Sequence, residues 1–356
     1  MSIEKGTFTR RDALKGAVAL AAASILDNDS MPEKIQSKKE QLTPVEKRFG
    51  ERLELGGVPT PTIDIRPDNP TSAVPMLVAP GFGASIHTNA PMLEMLASEG
   101  RRVLSLDHPL EGDRVRDVEE DILKRVADYP RTELRKASNL LEMMDKKGIE
   151  KVDCFAFSEG ALNTLLAAYM YPERFNSIIL TAPAGLIGQD TLFNIRTFWD
   201  SSVQGGLTQR FRSQAETDNT TGKPSVDSFV SSFPDIEAQE KAIRAHMDVA
   251  WKEDEKRGQA YPLRSVEDLW ALSHMQIDDM VAFVRAAGVK VAILTGADDQ
   301  IYPSEVIAKR LPKDSVDGFM TTVGAHGPNY SARVVNYLFD LLGKKREREE
   351  REKSQA

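Results

Sequence analysis

Strand-like and helix-like segments alternate along the chain from residue 51 onward, and this alternation restricts the fold more than any other feature of the sequence. A strand, a helix and a second strand in succession form the repeating unit of a parallel sheet. The sequence therefore predicts an α/β protein with a mostly parallel central sheet and helices on both faces. Strands are expected at residues 51–55, 62–66, 74–79, 102–106, 151–157, 177–181, 289–295 and 319–323. Helices are expected at residues 132–147, 161–171 and 304–311, and from residue 331.

The alternation stops between residues 185 and 288, in a segment of helical character that contains all three tryptophans of the chain. We predict one folded domain at residues 51–343, with this helical insertion at about 188–270. Its aromatic side chains would line an apolar substrate pocket or form the insertion's own core.

Residues 344–356 form a charged tail. Glu347 and Glu349 stand four residues before Arg351 and Lys353, a spacing typical of a solvated helix extension.

The N-terminal 50 residues differ in composition from the domain. Arg10 and Arg11 precede a short apolar run and the small residues at 21–23, an arrangement that resembles a twin-arginine (Tat) export signal, with Ala13 where that pattern usually has Phe. We expect a signal peptide at residues 1–26, a solvated linker at 27–50, and export through the Tat machinery to the periplasm or the exterior. The alternative is an amphipathic helix on a cytoplasmic protein.

Charge balance and cysteine count exclude several classes of partner and site. With 46 Lys and Arg against 54 Asp and Glu, the net charge is -8, so we expect no nucleic-acid partner. Cys154 is the only cysteine, which excludes an intramolecular disulfide and a multi-cysteine metal site. The apolar run at residues 16–26 is shorter than the ~20 residues that span a bilayer, and no H-E-x-x-H motif is present. We therefore expect no membrane span, no metal and no cofactor.

A serine between a predicted strand and a predicted helix carries the strongest chemical signal. Ala156 and Gly160 stand two residues before and after Ser158, and a sharp strand-to-helix turn requires small residues at these positions. Such a turn lifts the serine hydroxyl over the N-terminus of the helix, where amides and the helix dipole favour developing negative charge. Ser158 is therefore a candidate nucleophile.

This stretch resembles the nucleophile elbow of the α/β-hydrolase fold family, with Ala156 in place of the commoner glycine. The resemblance extends to Pro-Gly-Phe-Gly at residues 80–83, which follows a buried strand and looks like the oxyanion turn of the family. It implies an oxyanion hole made by the backbone amides of Phe82 and Glu159. A dinucleotide-binding loop is the competing interpretation, but the third glycine of that motif is missing.

The resemblance also implies a catalytic acid and base. Asp299 follows a buried strand at the position of the family's carboxylate, whereas its neighbour Asp298 is expected to cap local amides in the turn. His326 is the only one of the five histidines that lies downstream of this acid. The order Ser158, Asp299, His326 is the order that this fold requires. Taken alone, the acidic turn would also suit a solvated loop, and His326 a surface position.

A serine at position 158 argues against the dehalogenase and epoxide-hydrolase branches, whose nucleophile is a carboxylate. The resemblance implies a serine hydrolase that cleaves carboxylic esters of small or medium apolar molecules through an acyl-enzyme. Cofactor-free haloperoxidase, carbon–carbon hydrolase or lyase chemistry on the same triad is an alternative, and a non-catalytic binding protein is another. The insertion lies where many relatives carry a helical cap, so a lid over the site is expected.

Overall fold

The computed structural model describes most of the predicted domain. The described residues are 48–109, 114–187, 267–268, 270–272, 274–297, 299, 302–311, 314–322 and 332–355. The predicted signal peptide, nearly all of the linker and the insertion, Asp298 and His326 lie outside them.

Eight strands form one sheet in the described part of the chain. They are β1 (Gly50–Leu55), β2 (Val58–Ile65), β3 (Met76–Ala79), β4 (Val103–Leu106), β5 (Val152–Phe157), β6 (Phe175–Thr181), β7 (Lys290–Gly296) and β8 (Gly318–Thr322). Their order across the sheet is β1-β2-β4-β3-β5-β6-β7-β8. The pairs β1–β2 and β2–β4 are antiparallel, and every pair from β4 to β8 is parallel. The predicted mostly parallel sheet is confirmed.

The hairpin of β1 and β2 begins one residue earlier than predicted, and its second strand begins four residues earlier. Gly56 and Gly57 connect the strands, and both have positive φ, which glycine adopts without steric cost. Pro59 and Pro61 lie within β2 and pair with β1. Prolines are rare inside sheets, and for this reason the sequence pattern predicted a later start for this strand.

Seven α-helices have bounds that lie within the described residues, and further helical residues lie between 267 and 274. The seven helices are α1 (Ile86–Ser98), α2 (Glu120–Val126), α3 (Arg131–Lys146), α4 (Gly160–Met170), α5 (Asp278–Ala286), α6 (Ser304–Arg310) and α7 (Ala332–Gln355). The sequence predicts α3, α4, α6 and α7 to within one residue at the ends that it specifies, and it misses α1 and α2. None of the described helices is long and apolar enough to cross a membrane.

The sheet separates two apolar layers. Cys154 and Ala156 of β5 face one layer, built with α3, α4 and α5. Phe155 of the same strand faces the other layer, built with α1 and α7. Because alternate residues of each central strand are buried on opposite faces, these strands read as continuous apolar runs. Helices on both faces therefore match the prediction.

Residues 344–355 of the charged tail belong to α7. Its contacts differ from the predicted pairs: Glu349 forms an ion pair with Lys290 at the start of β7. Lys345 lies 2.8 Å from Asp317, whose carboxylate also accepts hydrogen bonds from the Arg285 guanidinium and the Val291 amide. The tail is thus attached to the sheet.

Asp317→Asn tests this attachment. Burial raises the pKa of the Asp317 carboxyl, but hydrogen bonds from Arg285, Lys345 and the Val291 amide outweigh it and lower the pKa from 3.8 to about 2. A carboxyl with a lowered pKa in the folded state stabilises above its unfolded pKa and loses that contribution as the pH falls. The substitution should cost about 1–2 kcal/mol at pH 7, and the difference should vanish between pH 4 and pH 2. Urea unfolding across this range measures it, and a pH-independent difference would contradict the assignment.

Candidate active site

Ser158 occupies a strained turn between β5 and α4. Its φ is +52°, in the left-handed region that side chains other than glycine rarely adopt. The turn is held from the neighbouring strand, because the Ser158 N–H donates to the Thr181 carbonyl over 2.8 Å. Ala182, the first residue after β6, also has positive φ. Two of the three described non-glycine residues with positive φ therefore lie at the carboxyl end of the sheet, and the third, Asp314, lies in the loop before β8.

Gly160 is required by the close approach of α4 to the end of β3. A Cβ at this residue would lie 2.7 Å from the Pro80 carbonyl oxygen and closer still to that of Ala79. The collision is thus with backbone of a different strand. Ala156 lies in β5 opposite Ala79, buried in the apolar layer, so a methyl group is accommodated there.

The turn at residues 80–83 packs directly against the serine. A Cβ on Gly81 would lie 3.1 Å from the Ser158 Cβ and 2.7 Å from the Phe157 ring. Gly83 has a φ of +67°, and the Ala84 N–H donates to the Gly81 carbonyl over 3.1 Å. The structure therefore places Gly81, the residue before Phe82, against one side of Ser158, while Glu159 follows Ser158 immediately before α4.

Asp299 lies three residues after the end of β7, and its side chain is buried. Its N–H donates to the Gly296 carbonyl over 3.3 Å, and its Oδ1 accepts from the Tyr302 N–H over 2.9 Å. Asp299 therefore caps a local amide. Asp298, for which we predicted such a role, lies outside the described residues.

Tyr302 lies beside Asp299 and near Ser158, and the sequence analysis assigned it no role. Its side chain is fully buried. Burial raises the pKa of the Tyr302 phenol, the nearby Asp299 and Glu159 carboxylates raise it further, and a hydrogen bond with the Ser158 side chain opposes the rise. The phenol therefore stays protonated beside both residues. The sequence feature that could have indicated that Tyr302 belongs to the site is its position three residues after Asp299.

A buried cluster of charged side chains lies behind the serine turn. Lys136 Nζ of α3 is 2.5 Å from Glu159 Oε1, 2.9 Å from Asp268 Oδ1 and 3.4 Å from Glu133 Oε1. The three carboxyl groups lie within 4.8 Å of one another, a grouping that could hold a metal ion. The Lys136 ammonium already supplies a cation to all three. The spacing of apolar residues predicts α3, but it does not indicate the contacts of Lys136 with the three carboxyl groups.

Four of the five predicted site residues are therefore described, and they meet at the carboxyl edge of the sheet: Phe82, Ser158, Glu159 and Asp299. His326, the predicted base, lies outside the described residues. His274 stacks on Trp270, with ring centroids 3.6 Å apart.

Glycine and alanine at position 158 should separate backbone strain from loss of the hydroxyl. Both variants remove the hydroxyl, but only alanine keeps the Cβ that makes positive φ unfavourable by about 1–2 kcal/mol. Ser158→Gly should therefore be more stable than Ser158→Ala, by about 1 kcal/mol after the entropy of the unfolded glycine is subtracted. Urea unfolding measures the difference.

Ala161→Gly is the matched control, in the first turn of α4 where φ is helical. It should lose about 1 kcal/mol. A Ser158→Gly variant less stable than Ser158→Ala by that same amount would show that the serine is not strained.

Comparison with known proteins agrees with the fold. The family model described as alpha/beta hydrolase fold matches residues 74–314, more than half of the chain. A bromoperoxidase from Bacillus anthracis is similar in structure, with a TM-score of 0.53, 14% sequence identity, and coverage of 83% of this chain and 99% of that one. An enol-lactonase from Burkholderia xenovorans has a TM-score of 0.52, 15% identity, and coverage of 82% and 100%.

Such low identities show a shared fold alone, and no curated protein matches this chain in sequence. The family match covers β3 to α6, including the serine turn and Asp299. The chain belongs to the alpha/beta hydrolase fold family.

Proposed function

We propose that this chain is a serine hydrolase that cleaves carboxylic esters of small or medium apolar molecules through an acyl-enzyme. The observation that carries the proposal is Ser158 itself, held at positive φ above the N-terminus of α4 with the residue 80–83 turn packed against it. Positive φ at a serine lowers the stability of the folded protein, whereas glycine adopts it without steric cost. A turn with only a structural role would therefore use glycine.

In the proposed reaction the Ser158 oxygen attacks the ester carbonyl carbon while the His326 imidazole removes the hydroxyl proton. The carbonyl oxygen becomes negatively charged and accepts hydrogen bonds from the Phe82 and Glu159 amides. Collapse of this intermediate breaks the bond to the alcohol, which leaves with the proton held by His326. Water then attacks the acyl-enzyme by the same route and releases the acid.

The surroundings of Asp299 suit the role of orienting the imidazole. Its carboxylate is buried, and one oxygen is fixed by the Tyr302 N–H, which limits rotation of the side chain. A buried, hydrogen-bonded carboxylate can hold one imidazole tautomer and stabilise the imidazolium. General-base catalysis contributes about 10²–10⁴-fold, and each oxyanion donor about 10²–10³-fold.

We also propose that the insertion is a cap that sets the shape of the substrate pocket. It leaves the sheet after β6 and returns before β7, the two strands that follow the serine turn. The returning chain at Asp268 contacts Lys136, close to the serine turn. An insertion anchored at this edge can exclude water and select substrates without supplying the proposed catalytic residues.

Ser158→Ala tests the nucleophile. The substitution should abolish labelling by a fluorophosphonate probe and ester hydrolysis, because the proposed acyl-enzyme forms on the Ser158 oxygen. A panel of p-nitrophenyl esters graded by acyl length, with matched amides and thioesters, measures turnover and identifies the preferred bond.

Ser138→Ala is the control, since this buried serine lies in α3 and donates to the Leu134 carbonyl. It should keep labelling and turnover. Undiminished ester turnover in Ser158→Ala would refute the assignment. Peroxide-dependent bromination without ester turnover in the unmodified protein would favour haloperoxidase chemistry on the same residues.

Asp299→Asn tests the acid. The amide oxygen can still accept from the Tyr302 N–H, so the loop should persist, but the imidazole loses its negatively charged partner. We expect kcat to fall by about 10³–10⁴-fold, measured on the best ester of the panel. Asp298→Asn is the matched control and should change kcat less than threefold. The opposite pattern would place the catalytic acid at residue 298.

A further inference from the structure

The buried charged cluster behind Ser158 holds more carboxyl groups than its single lysine can neutralise. Glu133, Lys136, Glu159 and Asp268 are all buried. Burial raises the pKa of Glu159 well above its ordinary value, against the effect of the Lys136 ammonium, and raises that of Glu133 as well. A cluster of this kind is a poor source of stability compared with apolar packing of similar volume. A role other than stabilising the fold therefore explains these buried charged residues better.

The contacts place Glu159 at the functional end of the cluster. Glu159 follows the proposed nucleophile directly, and its backbone N–H is one of the two proposed oxyanion donors. In the turn from Ser158 to Gly160, the serine side chain is the proposed nucleophile and glycine has no side chain. Glu159 is thus the only one of these three residues whose side chain can tie the turn to another element. That tie is the 2.5 Å contact with Lys136.

The lysine is itself held from two further directions. Glu133, one turn earlier in α3, lies 3.4 Å from its ammonium nitrogen, and Asp268 lies 2.9 Å away. The Asp268 Oδ1 also accepts a 2.5 Å hydrogen bond from the Thr132 hydroxyl. An ammonium group with three carboxyl neighbours in a buried site has little freedom to move. A shift of the Glu159 peptide would have to break these contacts.

We propose that Lys136 is a positioning residue for the oxyanion hole. Its ammonium, fixed by Glu133 and Asp268, anchors the Glu159 side chain and so aims the Glu159 N–H at the carbonyl oxygen of the bound ester. Asp268 belongs to the chain that returns from the insertion, so the anchor also connects that segment to the oxyanion donor. This inference rests on the proposed function.

Lys136→Met should lower kcat at least tenfold and leave KM within twofold, because a misaimed donor weakens binding of the transition state more than binding of the ester. Affinity for a trifluoromethyl ketone, which forms a tetrahedral adduct with the serine, should fall by the same factor as kcat/KM. A residue that only stabilises the fold would lower the melting temperature without changing these ratios in the folded fraction.

Arg101→Met is the matched control. Arg101 forms a buried ion pair of 2.8 Å with Asp153, at the opposite end of β5 from the serine turn. This variant removes a buried cation in the same way, so a similar loss of stability is expected, but kcat and the affinity for the ketone should remain within twofold of the unmodified protein.

Glu159→Met keeps the proposal testable if Lys136→Met does not fold. It removes the anchor from the other side while reducing the excess of carboxyl groups around Lys136, so the protein should remain folded. The proposal requires the same tenfold loss of kcat and of affinity for the ketone. Unchanged values in a folded Glu159→Met or Lys136→Met variant would overturn it.

The reaction of the unmodified protein with the fluorophosphonate probe distinguishes failure of the positioning role alone from failure of the proposed function. If the probe labels Ser158 and the Lys136 and Glu159 variants react at the same rate as the unmodified protein, the positioning role is wrong and the serine hydrolase stands. If the probe does not label Ser158 in the unmodified protein, the proposed function and the positioning role both fall.

Discussion

The carboxyl edge of the sheet, where the candidate active site lies, depends on the close approach of α4 to the end of β3. Gly160 lies so near the carbonyl oxygens of Ala79 and Pro80 that no Cβ fits between them. This contact lets α4 begin three residues after β5 ends, and Ser158 is left in the left-handed region as a result. Strain of about 1–3 kcal/mol is tolerated at such a residue only when its surroundings determine its conformation. Here β3 supplies the close contact and β6 supplies an acceptor for the Ser158 N–H.

Two different kinds of restraint surround the strained turn. Gly81 packs against the side of Ser158, a restraint that depends on shape alone. Behind the turn, the cluster around Lys136 restrains Glu159 through charge. Charged groups in a buried site are sensitive to position because their interactions are strong at low dielectric constant and costly when unpaired. The combination fits a site that must hold one geometry, and it connects the proposed oxyanion donor to the C-terminal end of the insertion at Asp268.

Most of the sheet could be predicted from the sequence because central parallel strands are buried on both faces and read as apolar runs. Helices α1 and α2 were missed. Helix α1 contains Pro91, which argues against a helix interior. The serine turn could be predicted because a sharp strand-to-helix turn has room only for small residues near the serine. The sequence has such residues at Ala156 and Gly160. Tyr302 and the partners of Lys136 were not, since long-range contacts between polar side chains follow no local period. Export by the Tat machinery and the cap remain predictions.

A crystal structure of the protein after reaction with a small alkyl fluorophosphonate tests the central claim most directly. The account predicts phosphorus bonded to the Ser158 oxygen, the phosphonyl oxygen within hydrogen-bond distance of the Phe82 and Glu159 amides, and the His326 imidazole between Asp299 and the adduct. The Lys136 ammonium should remain in contact with Glu159. An adduct on another residue, or a phosphonyl oxygen directed away from both amides, would contradict it.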